Sequence, residues 1–141
     1  MTLLVVDAST LLSATVAKRD SPLAVLLDAV TSGAIEIVAC DELLSELHDG
    51  LESTYFRDRV SAVDGRAYEA MIASLALHLP DPVSPPKILR DSDDDYLVAL
   101  ALAANATAIV TGDRDLLDHE NLKPPALSAR QACEMLGLPA S

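Results

Sequence analysis

Two stretches of this chain, Leu3-Leu-Val-Val6 and Ala108-Ile-Val-Thr111, carry no charged residue, and each is followed within two residues by an aspartate. A short, continuous apolar run is the pattern of a strand covered on both faces, as in a parallel sheet between helical layers. Ile35-Glu-Ile-Val-Ala39 is a third run of the same type. The segments between these runs have helical spacing. The alternation predicts an α/β fold, a three-layer α/β/α sandwich with a mainly parallel central sheet.

The helices announce themselves by caps and apolar stripes. Asp7-Ala-Ser-Thr opens a segment with Leu11, Leu12 and Val16, read as a short helix begun by Ser9 or Thr10. Ser21-Pro22 has the form of a helix start, and the apolar run 23–30 leads to Gly33. Asp41 is expected to cap a helix carrying Leu43, Leu44, Leu47 and Leu51, and residues 61–77 form a longer helical region. Residues 80–93 hold four prolines and read as an internal connector. Asp91-Ser-Asp93 precedes the most apolar helix, 94–105, and Ser128 caps a final helix, 129–136, ended by Gly137.

The chain has 141 residues, half of them hydrophobic, which suits one domain spanning 1–141 with a sizeable core. Aromatic residues are 3% with no Trp, so a base-stacking platform is not expected. Ten Lys and Arg against 22 Asp and Glu give a net charge of −12, which excludes a general electrostatic trap for nucleic acid. Cys40 and Cys133 form no close metal pair and read as reduced, buried thiols. The first seven residues lack the basic start of a signal peptide, and the uncharged stretch 96–112 falls short of the roughly 20 residues of a spanning helix. A cytoplasmic protein without a membrane partner is expected.

Asp7 directly follows the first run and Asp113 stands two residues beyond the last. In open parallel sheets, sites form just outside the carboxyl ends of strands, so both acids can reach one crevice. Aspartate also favours turns and caps for local reasons, and either one alone would mean little. Asp94 and Asp95 begin the apolar helix. At about 100° per residue, Asp94 shares a face with Val98, Ala101 and Asn105, and Asp95 shares one with Ala99 and Leu102. Acids at that position also complement the helix dipole. Glu46 lies on the flank of the leucine stripe, where Glu42 and Asp49 are equally available. Converging carboxylates repel one another, and a hard divalent cation, Mg²⁺ or Mn²⁺, is the natural counter-charge. Such a site activates water against a phosphodiester, as in a metal-dependent nuclease or phosphatase.

Four blocks together resemble the PIN domain family, most of all its bacterial branch of toxin–antitoxin ribonucleases related to the VapC toxins. They are Val5-Val-Asp7-Ala-Ser9, Leu43-Leu-Ser-Glu46-Leu, Asp91-Ser-Asp-Asp94-Asp-Tyr-Leu-Val-Ala-Leu-Ala101 and Ile109-Val-Thr-Gly-Asp113-Arg-Asp-Leu-Leu117. The resemblance implies a PIN-like fold and a catalytic acidic quartet of Asp7, Glu46, Asp94 and Asp113. Asp7, Asp94 and Asp113 would hold Mg²⁺ or Mn²⁺, Glu46 would help position the attacking water or a second ion, and Thr111 could orient the last acid. RNA would be cut to a 3′-hydroxyl and a 5′-phosphate. A cognate antitoxin and a homodimer are the implied partners. Two features depart from the pattern: Ser9 stands where the branch commonly has Asn, and the acids around Asp94 compete. The shorter VapC spacing selects Asp95, whereas the spacing of this branch, with Ala101 seven residues on, selects Asp94.

Basic residues that could meet RNA are Arg57, Arg59, Arg66, Arg90 and Arg114, with Arg114 chosen for its place beside Asp113. The rival reading is a non-catalytic PIN-like module that binds a protein partner or RNA, motivated by Ser9 and the scarcity of positive charge. A phospho-acceptor receiver domain ranks last, since Lys123 is poorly placed to close its pocket.

Overall fold

The computed structural model describes residues 2–83 and 94–140. The first strand, β1 (Leu3–Val6), passes through Asp7 into α1 (Ala8–Ala14), followed by α2 (Pro22–Thr31) and β2 (Glu36–Ala39). Next come α3 (Asp41–Glu52), a single turn α4 (Thr54–Arg57), α5 (Ala62–Leu75) and β3 (Leu77–His78). After the undescribed residues 84–93, α6 (Asp95–Ala104) leads to β4 (Ala108–Val110), α7 (Arg114–Leu117), β5 (Ala126–Leu127) and α8 (Ala129–Leu136). The expected α/β sandwich is present. Five parallel strands lie in the order β3-β2-β1-β4-β5.

The alternation of strand side chains builds the layers. Leu4, Ile37, Ala108 and Val110 face one core together with Leu11, Leu26, Val30 and Ile72. Val5, Val38 and Ile109 face the other, covered by Leu97, Leu100 and Ala101 of α6. The α3 helix bridges the two: Leu43 joins one core, Leu47 and Leu51 the other. Each fully buried leucine contributes about 2 kcal/mol of transfer free energy. Strand order reverses between β1 and β4, because the chain runs outward through β2 and β3 and then returns to the other side of β1. Crevices in such sheets open at this reversal.

Several boundaries differ from the sequence expectation. Asp7, not Ser9 or Thr10, caps α1, and its carboxylate accepts from the Thr10 amide. Asp41 lies inside α3. The cap residue is Cys40, whose side chain makes no capping bond, and Asp81 accepts from the Glu42 amide at 2.9 Å instead. The expected helix 61–77 ends at Leu75, and residues 77–78 become the edge strand β3. The strand β5 and the single turn α4 have no counterpart in the sequence patterns. The caps at Ser21, Ser128 and Gly137 stand as expected. Asp91, Ser92, Asp93 and Arg90, with most of the proline connector, lie outside the described residues. Among those described, no helix is long and apolar enough to cross a membrane.

Candidate active site

The two central strands deliver the first acids. The Asp7 amide donates to the Val110 carbonyl at 3.1 Å, which ties the end of β1 to the end of β4. One carboxylate oxygen of Asp7 accepts from the Thr10 amide at 2.8 Å, and the other accepts from the Thr111 hydroxyl. The same hydroxyl accepts from the Asp113 amide at 3.0 Å. One buried threonine thereby connects the acid after β1 to the acid after β4. Asp113 caps α7, and its Oδ1 accepts from the Asp115 amide at 2.9 Å.

Helices bring the remaining two. Asp94 sits at the cap position of α6 without making a capping bond, so its carboxylate is not spent on its own helix. Glu46 reaches in from the exposed face of α3. Asp7, Glu46, Asp94 and Asp113 all line one open cavity of about 510 Å³ at the carboxyl ends of β1 and β4. Glu42 and Asp49 do not line it. Neither does Asp95, which is 2% exposed and buried beneath the helix start. Ser9, Ser13, Thr111 and Ser128 add hydroxyl groups, and Leu23 and Leu97 add apolar wall.

The electrostatics are those of crowded carboxylates. The Asp94 pKa is pushed up to about 7, first by burial, then by a hydrogen bond with Asp113 and by the charges of Asp113, Asp7 and Glu46. A proton shared near Asp94 is how such a cluster relieves itself without a cation. The donor set is all oxygen and strongly anionic, which fits Mg²⁺ or Mn²⁺. The side chains are not drawn in as a closed cage: among the described residues, no three acids lie close enough to grip an ion.

Of the basic candidates, Arg57, Arg59, Arg66 and Arg114 do not line this cavity, and Arg90 lies outside the described residues. Arg57 pairs with Glu52 at 2.5 Å, and the Arg59 guanidinium stacks 3.7 Å above the Tyr55 ring. Arg114 is off the acid cavity. It pairs with Asp118 at 3.3 Å and lines an adjoining groove with Arg130, Gln131 and Glu134. Ser128 belongs to both hollows. Sequence reasoning missed Ser13 and Ser128 as cavity residues, because only the packing of α1 and α8 around the sheet brings them to the site.

A family model described as PIN domain matches residues 3–115. Among solved structures, PAE2754 from Pyrobaculum aerophilum superposes with a TM-score of 0.65 over 96% of this chain and 90% of that one, at 20% identity. At that identity the likeness carries the fold alone. No curated protein matches the chain significantly.

Proposed function

Because the chain belongs to the PIN domain family, whose members are generally nucleases and typically bind divalent metal ions, we propose that it is a Mg²⁺- or Mn²⁺-dependent endoribonuclease. The observation that carries this reading is the convergence of four carboxylates, from four separate elements, on one cavity at the strand-order reversal. Asp7, Asp94 and Asp113 would hold the cation. When bound, it supplies positive charge that neutralises the phosphodiester and lowers the pKa of water.

The chain's own groups do the rest. The Thr10 amide and the Thr111 hydroxyl fix both oxygens of Asp7, so that carboxylate does not reorganise during reaction. Glu46, exposed on α3, accepts the proton of the attacking water. The new water–phosphorus bond forms as the bond to the 3′-oxygen breaks. The proton ends on that oxygen, leaving a 3′-hydroxyl and a 5′-phosphate. Ser128 and Ala129 put the start of α8 on the cavity wall, where backbone amides favour a phosphate. Arg114 meets the strand beyond the cavity.

The same reading makes residues 1–141 a single cytoplasmic domain, the toxin of a toxin–antitoxin pair working as a homodimer. A chain of net charge −12 suits a basic antitoxin segment as its partner. The non-catalytic alternative draws on Ser9 in the cavity wall and on the scarcity of positive charge, with no Lys or Arg among the described lining residues.

The test is Mn²⁺ calorimetry on wild type, Asp7→Asn and Asp94→Asn, with RNA cleavage assayed in parallel. Asparagine caps α1 as well as aspartate does, and Asp94 makes no capping bond that asparagine would lose, so both variants keep the fold. Saturable binding lost in both variants, with cleavage abolished by EDTA and by Asp7→Asn, is expected. Cleavage that survives both treatments overturns the nuclease reading. Mn²⁺ binding without turnover on several RNAs establishes the alternative.

A further inference from the structure

Tyr96, two residues after the α6 cap, is 3% exposed and belongs to the core cluster that holds Val5, Val38 and Leu43. Its hydroxyl has no hydrogen-bond partner among the described residues. After burial, Glu46 is the group that raises the pKa of this hydroxyl most, by contact and by charge, short of a formed hydrogen bond. A buried phenol without a partner is unfavourable, and phenylalanine would fill the same space without that penalty. The two partners also differ in freedom: the ring is locked in a close-packed core, whereas Glu46 is exposed on α3.

We infer that Tyr96 is a positioning residue for the cavity's fourth acid: its hydroxyl donates to one carboxylate oxygen of Glu46, leaving the other aimed at the attacking water. The inference rests on the nuclease reading for its purpose, but the contact itself does not depend on it. A donor fixed in the core selects one rotamer of an exposed carboxylate. Tyr96 touches neither RNA nor cation.

The experiment compares wild type, Tyr96→Phe, Glu46→Gln and the double variant on a fluorescent pool of random single-stranded RNA with Mn²⁺. Tyr96→Phe is expected to lower kcat about tenfold, with KM unchanged and the thermal midpoint not lowered. Added to Glu46→Gln it should cost nothing further, because the residue acts only through Glu46. An unchanged kcat overturns the inference, as does a loss that multiplies onto that of Glu46→Gln or that follows a fall in stability. A second readout needs no activity. With ¹³C-labelled glutamate, the Glu46 carboxyl resonance should move in Tyr96→Phe. If that resonance is indifferent, the contact is absent and the inference fails. If it moves while the wild type cleaves no RNA, the nuclease reading fails and takes the positioning role with it, leaving a structural contact only.

Discussion

Asp7 serves the fold and the site with the same two oxygens. One caps α1 through the Thr10 amide, and the other takes the hydroxyl of Thr111, which in turn receives the Asp113 amide. Thr111→Val keeps the shape of the strand end but leaves an acceptor and a donor unmatched. It should cost about 1–2 kcal/mol in urea unfolding and weaken Mn²⁺ binding; full stability and affinity in that variant would show the bridge to be incidental. A single residue also decides the third acid. Asp94, at the cap, faces the cavity, whereas Asp95, about 100° further round, is buried at 2% exposure. The sequence offered both positions on equal helical terms. What separated them was where the helix starts against the sheet edge.

At the scale of elements, α3 carries Glu46 and must sit close against α1. Gly50 makes that approach possible, since a Cβ there would overlap the Leu12 Cδ1 methyl. Alanine normally gains about 1 kcal/mol over glycine inside a helix. Here the overlap should reverse the sign, with Gly50→Ala destabilising the protein by about 1–3 kcal/mol and Leu12→Ala partly rescuing it in the double variant. On its other side α3 is tied to α5, where His48 Nδ1 lies 3.0 Å from Glu69. That hydrogen bond, and then the Glu69 charge, raise the His48 pKa above the ordinary value. A raised histidine stabilises the fold fully below its unfolded pKa of about 6.5 and loses that contribution as pH climbs through the folded value. The thermal midpoint of wild type relative to Glu69→Gln should therefore shrink from pH 6 to pH 8. An NMR titration should find the His48 pKa higher in wild type than in Glu69→Gln, since Glu69 is the largest cause of the rise. The edge strands β3 and β5 were illegible for a plain reason: two residues each hold no pattern, and both residues of β3 are exposed.

For the whole molecule the governing quantity is a net charge of −12 with four carboxylates gathered in one cavity. A ligand that binds only the folded state stabilises by mass action, about 2.7 kcal/mol at a hundred times its dissociation constant. Mn²⁺ at that excess should raise the thermal midpoint by about 5–10 °C, with no comparable effect in Asp7→Asn or Asp94→Asn or from monovalent salt at equal ionic strength. A rise shared by all three proteins would mean diffuse screening and not a site. The sequence by itself determined the α/β alternation, the central strands and the two acids that follow β1 and β4, because periodicity and strand-end position are local properties of the chain. It marked Glu46 only by resemblance, since Glu42 and Asp49 share its helical setting. The tertiary structure decided which face of α3 meets the crevice, that Asp94 and not Asp95 lines it, and that Ser128 from the last helix joins its wall. Those are distances between segments far apart in the chain, set by how two cores pack on one twisted sheet, and no local pattern encodes them.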